Sequence, residues 1–364
     1  MSLKKIFGRA IKRTVFGGEP LPNRFFIALT EPQQEVTVWL HGAGEPIDVT
    51  RRHCEACGAP FILCIGLDRG RGPTEDRRSD LRLRFCEKDG LQRVLGEITL
   101  QWIQTLDSGD SEFFLFRPKS SVNYCLSKSK QEIYALWHAY RAWRKGGVRI
   151  SRMEMDAMVV MFICPRPVSL ISVTDEAGGN IYPLNVMGDL GDRFFGLCLK
   201  TGRLPAQCVQ KTRRLVLSSV PMPAAPIAYR LGPNHNRPTI DWNTLSFATR
   251  PSQSFGIFVP EFACRVREME IDQVHKLGFH TFFLARVVSD ELLATVPELC
   301  VAHGFYQDWR TRQRGVDKKR AYAEDAFVSN QLSPEQALLL SQNDGDKSMT
   351  SFRQLQDTTV TDVR

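Results

Sequence analysis

The chain has 364 residues, a formal net charge of +8 and a hydrophobic content of 43%. That length suggests about two domains, and the apolar fraction is that of a globular protein with a sizeable core. No run of about 18 apolar residues occurs and the N-terminus has no secretory pattern, so neither a membrane-spanning helix nor export is expected; ten cysteines scattered over a long chain point to reduced thiols in a cytoplasmic protein.

Residues 1–22 read as a basic amphipathic helix and linker. Leu3, Ile6, Phe7, Ala10, Ile11 and Val15 share one face, and Lys4, Lys5, Arg9, Lys12 and Arg13 lie elsewhere. Docking of this helix on protein is the expectation, and a membrane surface could be met only through it. The second basic flank, Arg310 to Arg320, has no aromatic-basic recognition motif beside it. No nucleic-acid partner is expected.

Residues 23–148 are expected to form a mostly-β domain of no recognised family. Val36–Leu40, Phe61–Leu67, Leu81–Phe85, Val94–Trp102 and Phe113–Phe116 are strand candidates between Gly, Pro and charged turns. Residues 68–80 read as a polar loop. A helix is predicted over 129–145 from Ile133, Trp137, Tyr140 and Trp143, closed by Gly146-Gly147. His53-Cys54-Glu55-Ala56-Cys57 has a zinc-like CxxC spacing, which Cys64 and Cys86 could complete. There is no second CxxC, and Cys64 sits in an apolar strand-like run, so no metal site is expected.

Residues 151–304 form the second expected domain. Its strands are Val168–Thr174, a strand from Ile181, Arg193–Lys200, Leu215–Val220, Cys264–Val274 and His280–Ser289, with a short helix over Pro205–Arg213. An insertion at about 226–262 carries the loop-borne polar cluster Pro233-Asn234-His235-Asn236-Arg237. It could line a substrate mouth or simply hold the loop together. Residues 305–364 read as a polar tail with one helix near 334–342, where Ser333 precedes Pro334, and disorder over the last twenty or so. No internal repeat is apparent. No GxGxxG turn joins a strand to a helix, and no Walker A sequence occurs, which disfavours Rossmann and P-loop readings.

The segment Cys164 to Val186 is the most informative. Arg166-Pro167 leads into the apolar strand with Ser172 and Thr174; Asp175 to Asn180 makes an acidic-Gly turn; Pro183 and Asn185 follow. This hairpin resembles the opening of the flavin reductase-like family, the FMN-binding split β-barrels, and the resemblance extends over residues 157–290. It implies a mainly β fold with some α: a C-terminal split barrel beside the unrecognised N-terminal domain. It also implies a homodimer with FMN near the subunit interface and NADH or NADPH as co-substrate. Arg166, Ser172, Thr174, Asn185, Val186 and Met187 are the residues it places along the flavin. In the family, the next strand-to-helix segment often carries Lys-Asp-Thr and a later Asn for the phosphate. Here that segment has Arg203, with Pro205 and Cys208 in place of the Thr and Asn. Phosphate contacts are therefore expected from Lys200, Thr201, Arg203 and Gln207. Gly278-Phe279-His280-Thr281 matches a second family pattern, so His280 is the candidate catalytic residue, and a plain strand-end histidine is the alternative. The implied activity is hydride transfer from NAD(P)H to flavin N5. The rival is a non-catalytic flavin-binding or interaction protein on a degenerate barrel.

Overall fold

The computed structural model describes residues 24–74, 81–145, 150–191, 193–317 and 321–323. The helices expected over 1–16 and 334–342 lie outside the described residues. Strand β1 (Arg24–Leu29) precedes a seven-stranded antiparallel sheet. That sheet consists of β2 (Val36–His41), β3 (Ile47–Asp48), β4 (His53–Gly58), β5 (Phe61–Asp68), β6 (Arg82–Glu87), β7 (Val94–Ser108) and β8 (Ser111–Asn123), in the order β3-β2-β6-β7-β8-β5-β4. In β2 the buried residues Val36, Val38 and Leu40 alternate with half-buried ones, the signature of one covered face. Strands β4 and β5 are instead buried on both faces. Phe61, Leu63, Ile65 and Leu67 enter the core of this half. Ile62 and Cys64 point the other way, into a second cluster shared with Leu190, Cys198, Phe282 and Leu284. The segment with the zinc-like spacing is thus the strand β4, with Cys54 opposite Cys64. Cys86 lies on β6, four strands away in the sheet order.

Helix α1 (Lys128–Lys145) agrees with expectation, and α2 (Arg152–Met161) follows, its N-terminus closed by a Ser151–Glu154 capping box. Although α2 falls within the segment expected to form the barrel, its Val160 and Ile163 beyond it join the core of the first sheet. Strand β9 (Arg166–Pro167) leads into a second antiparallel sheet. Its members are β10 (Ser169–Asp175), β11 (Gly178–Leu184), β12 (Met187–Asp189), β13 (Phe194–Lys200), β14 (Arg214–Ser219), β17 (Arg265–Lys276) and β18 (His280–Leu292). Helix α3 (Leu204–Thr212) connects β13 to β14. The order is β11-β10-β14-β17-β18-β13-β12. Ile171, Tyr182, Leu197, Val209, Leu215, Met269 and Phe283 fill its interior. The chain is mainly β with some α, and this half is the split barrel that the hairpin implied.

The insertion contains helix α4 (Ala225–Arg230) and the short hairpin β15 (Thr249–Pro251) and β16 (Phe258–Pro260). It is pinned by Glu268, whose carboxylate accepts from the Ser254 and Phe255 amides at 2.9 and 2.6 Å. Its Gly232–Asn236 turn covers the free edge of β11. Asn234 donates to the Ile181 carbonyl (2.9 Å), and the His235 ring bonds the Pro183 carbonyl (2.8 Å).

The last described elements return to the first half. Strand β19 (Glu298–His303) pairs with both β1 and β9, and β20 (Ala321–Ala323) pairs with β1. Helix α5 (Gly304–Gln313) occupies the start of what the sequence read as a polar tail. The reason is aromatic: Phe305, Tyr306 and Trp309 are buried in the N-terminal core. Arg310 donates two hydrogen bonds to the buried Glu35 carboxylate, at 2.6 and 2.7 Å, and the Tyr306 hydroxyl donates a third at 2.9 Å.

Candidate functional site

The C-terminal end of β13 and the first residue of β18 gather the largest group of expected ligands. Lys200 lies directly opposite His280 in the ladder. The turn that follows is held by the Thr201 amide on the Phe279 carbonyl (2.9 Å) and by the Thr201 hydroxyl beside that of Thr281 (3.1 Å). Lys200 Nζ sits 4.4 Å from the centre of the Phe279 ring. Helix α3 then begins at Leu204 with Arg203 as its N-cap and Pro205 in its first turn, and no side chain caps it. Its first amides are therefore left for an anion or water. Arg203 donates to Asn236 of the insertion (2.8 Å), and Gln207 folds back onto the Gly202 carbonyl (3.3 Å). Two cations, a hydroxyl, an amide and an uncapped helix start thus share one turn, the Thr201 hydroxyl also reaching the Gly278 carbonyl (3.3 Å).

His280 is held from the other half. The Gly58 amide donates to its Nδ1 at 3.2 Å, and Cys57 Sγ lies 3.7 Å from the same atom. Accepting at Nδ1 leaves the ring proton on Nε2. Burial, and secondarily Lys200, depress its pKa below the ordinary histidine value. The ring is thus a neutral donor through Nε2–H.

A second group lies between the halves, around a cavity of about 120 Å³ lined by Glu55, Arg166, Ser169, Asp189, Arg267 and Glu298 among others. Arg166 is buried, stacked 3.4 Å from the centre of the Phe162 ring, and 3.5 Å from the Glu55 carboxylate. Its Nη1 donates to the Asn185 carbonyl at 3.4 Å, while Nε and Nη2 have no partner among the described residues. Burial lowers the Arg166 pKa to about 10, against the pull of Glu55; burial likewise raises that of Glu55.

The expected flavin residues are therefore divided. Lys200, Thr201, Arg203 and Gln207 lie on one turn, and Lys200 is paired with His280. Arg166 and Met187 line the cavity between the halves. Val186 is half-buried between two core clusters. The Cys198 amide bonds its carbonyl, which brings Asn185 and Val186 alongside the end of β13. Ser172 is fully buried on the far face of β10 and has no partner among the described residues; Thr174 is exposed at the hairpin end, opposite Gly179. Glu55, Cys57 and Gly58, which touch or border this region, were not foreseen as site residues.

No protein-family profile matches the chain, and none of the curated proteins does. Solved structures similar to part of it are flavin reductase and FMN-binding split-barrel proteins. An FMN-binding protein from Thermus thermophilus with bound 1-cyclohex-2-enone is 24% identical, with a TM-score of 0.32 over 35% of this chain and 71% of its own. An NADH:FAD oxidoreductase from Streptomyces globisporus C-1027 is 15% identical, with a TM-score of 0.37 over 44% of this chain and 94% of its own. The flavin reductase of styrene monooxygenase from Pseudomonas putida S12 is 19% identical, with a TM-score of 0.33 over 39% and 90%.

Proposed function

We propose that the chain is an FMN-binding oxidoreductase of the NAD(P)H-dependent flavin reductase type. The observation that supports this reading is that Lys200, Thr201, Arg203 and Gln207 lie on one turn at the uncapped start of α3, with Lys200 paired to His280. That donor set fits a phosphate monoester: two cations, a hydroxyl, an amide, and backbone N–H groups at the positive end of a helix. FMN, when bound, accepts hydride from NADH or NADPH. The chain's own residues hold and orient. Lys200 and Arg203 neutralise the phosphate. Asn185 and Val186, alongside the end of β13, line the route from that phosphate toward the cavity. His280 offers a hydrogen bond from Nε2–H without giving up a charge.

A second reading has its own support. Arg203 is already bonded to Asn236, and Arg166 is sunk against Glu55. On that reading the barrel is a non-catalytic flavin-binding or interaction protein. Calorimetric titration with FMN and riboflavin, followed by an NADH and NADPH oxidation assay with FMN present, separates the two. Binding with turnover supports the first reading and binding without turnover the second. No binding of either flavin on the order of tens of micromolar removes the flavin altogether.

A further inference from the structure

The two seven-stranded sheets share one topology. Replacing β2, β3, β4, β5, β6, β7 and β8 by β10, β11, β12, β13, β14, β17 and β18 turns one strand order into the other without change. The irregularities match too. The β7–β8 ladder shifts register between Thr99 and Leu100 and between Trp102 and Gln104; the β17–β18 ladder shifts between Glu268 and Met269 and between Ile271 and Gln273, at the same spacing. Bulges are specific local features, and the same pair at the same separation is hard to reach twice by chance. Carried along the strands, this register superposes Gly109 on Gly278. Both glycines have positive φ, 57° and 96°. It also aligns Gly-x-x-x-Phe-Phe-Leu-x-Arg at 109–117 with the same pattern at 278–286.

Cross-strand partners extend the correspondence. Asp68 pairs with Ser111 as Lys200 pairs with His280. Cys54 lies opposite Cys64 as Gly188 lies opposite Gly196, and one residue on, Glu55 corresponds to Asp189. The corresponding residues also share one core. Phe113 and Phe282, and Leu115 and Leu284, belong to one buried cluster between the halves. A Cβ added to Gly188 would stand 3.0 Å from Cys54 Cβ. Contact between equivalent positions is what a two-fold axis produces.

We infer that the chain is a single-chain pseudo-dimer, in which residues 36–123 fill the place of a second barrel and β4 completes the His280 site in cis. The Gly58 amide on His280, and the Phe279 amide on the Ala59 carbonyl at 2.9 Å, are the contacts that a partner subunit would otherwise supply. The duplication is one-sided in its chemistry. Where the C-terminal half has Lys200 and His280, the N-terminal half has Asp68 and Ser111, and Asp68 is paired with Arg52 at 2.7 Å. An anionic ligand therefore has one site per chain, a clause that rests on the flavin reading above.

The test uses the full chain carrying Gly188→Cys, oxidised with diamide and read by non-reducing electrophoresis and intact mass. The new Cβ would stand 2.9 Å from the His53 carbonyl oxygen, so the strand must shift slightly; after that shift a bond to Cys54 within one chain, in a species of 41.3 kDa, is expected. The same bond joining two chains overturns the inference. If the variant does not fold or no bond forms, sedimentation of the wild type decides. A mass of 41.3 kDa at every concentration supports the pseudo-dimer, and a dimer that persists on dilution overturns it. Both readouts need no flavin, so a failed FMN titration refutes the proposed function and leaves this inference standing. Where FMN does bind, one per chain is expected, and two equal sites would overturn the one-sidedness.

Discussion

The two halves share a strand order, a pair of bulges and a hairpin pattern, yet they differ at the one turn where chemistry is expected. Strand β13 ends on Lys200, and Thr201 and Arg203 lead from it into α3. Its counterpart, β5, ends on Asp68, which is in an ion pair with Arg52. The sheet tolerates both because its stability comes from alternating buried positions and the shared cluster of phenylalanines. Ligand binding depends on a few side chains at the strand ends, and these can be lost without touching the fold.

The largest effect that tests this comparison is on stability. Phe113→Ala and Phe282→Ala each empty a fully buried position in the cluster between the halves. Each is expected to cost about 3–5 kcal/mol, read from the denaturant midpoint. Similar costs would confirm that the two positions are equivalent; a large cost at one and a small cost at the other would break the equivalence.

A smaller effect, on binding, should separate the halves. Arg203→Ala is expected to weaken FMN about ten- to hundredfold, the equivalent of roughly 1.5–3 kcal/mol for a charge-assisted contact. Riboflavin, which lacks the phosphate, should be nearly indifferent. Asp68→Ala in the other half should leave both unchanged. If Arg203→Ala weakens FMN and riboflavin equally, Arg203 works by holding the insertion through Asn236.

The smallest expected effect is on pH dependence. Burial holds His41, His53, His235, His275 and His280 below their ordinary value of 6.5. The unfolded chain takes up these protons near pH 6.5, and the folded chain does so only at lower pH. Their stabilising effect is therefore complete above about pH 6.5 and is lost as the pH falls below it. Melting temperatures across that range should decline toward acid, and His280→Gln should flatten the decline slightly. A melting temperature that rises on acidification would contradict the buried, neutral assignment.

Much of the barrel was legible in the sequence. Strands β10, β13, β14, β17 and β18 and helix α3 follow from β-branched runs bounded by Gly and Pro, and the Cys164–Val186 hairpin pointed to the split barrel. Strand β4 was not seen. His53-Cys54-Glu55-Ala56-Cys57 is buried on both faces and shows no alternation, so its polar residues resembled a ligand set. Helix α5 was hidden because Arg310, Arg312 and Arg314 made its stretch look solvated, while Phe305, Tyr306 and Trp309 carried it into the core. The duplication did leave a trace, Gly-x-x-x-Phe-Phe-Leu-x-Arg at both hairpins. It is confined there because the turn requires a positive φ and the Phe-Phe-Leu run lies at the contact between the halves. Other positions need only apolar character and volume, which many sequences provide. Grouping of the ligand candidates was harder still, since Lys200 and His280 meet through pairing of strands 80 residues apart.

The contact between Cys54 and Gly188 has a consequence for how such a chain can change. In a true homodimer, a residue on the axis faces its own copy. Two cysteines there would collide or bond, and two glycines would leave a gap that packing cannot close. With both faces written into one gene product, the axis can hold a side chain on one side and none on the other, as it does here. The joined chain can therefore fit bump to hollow at its centre, which identical subunits cannot do.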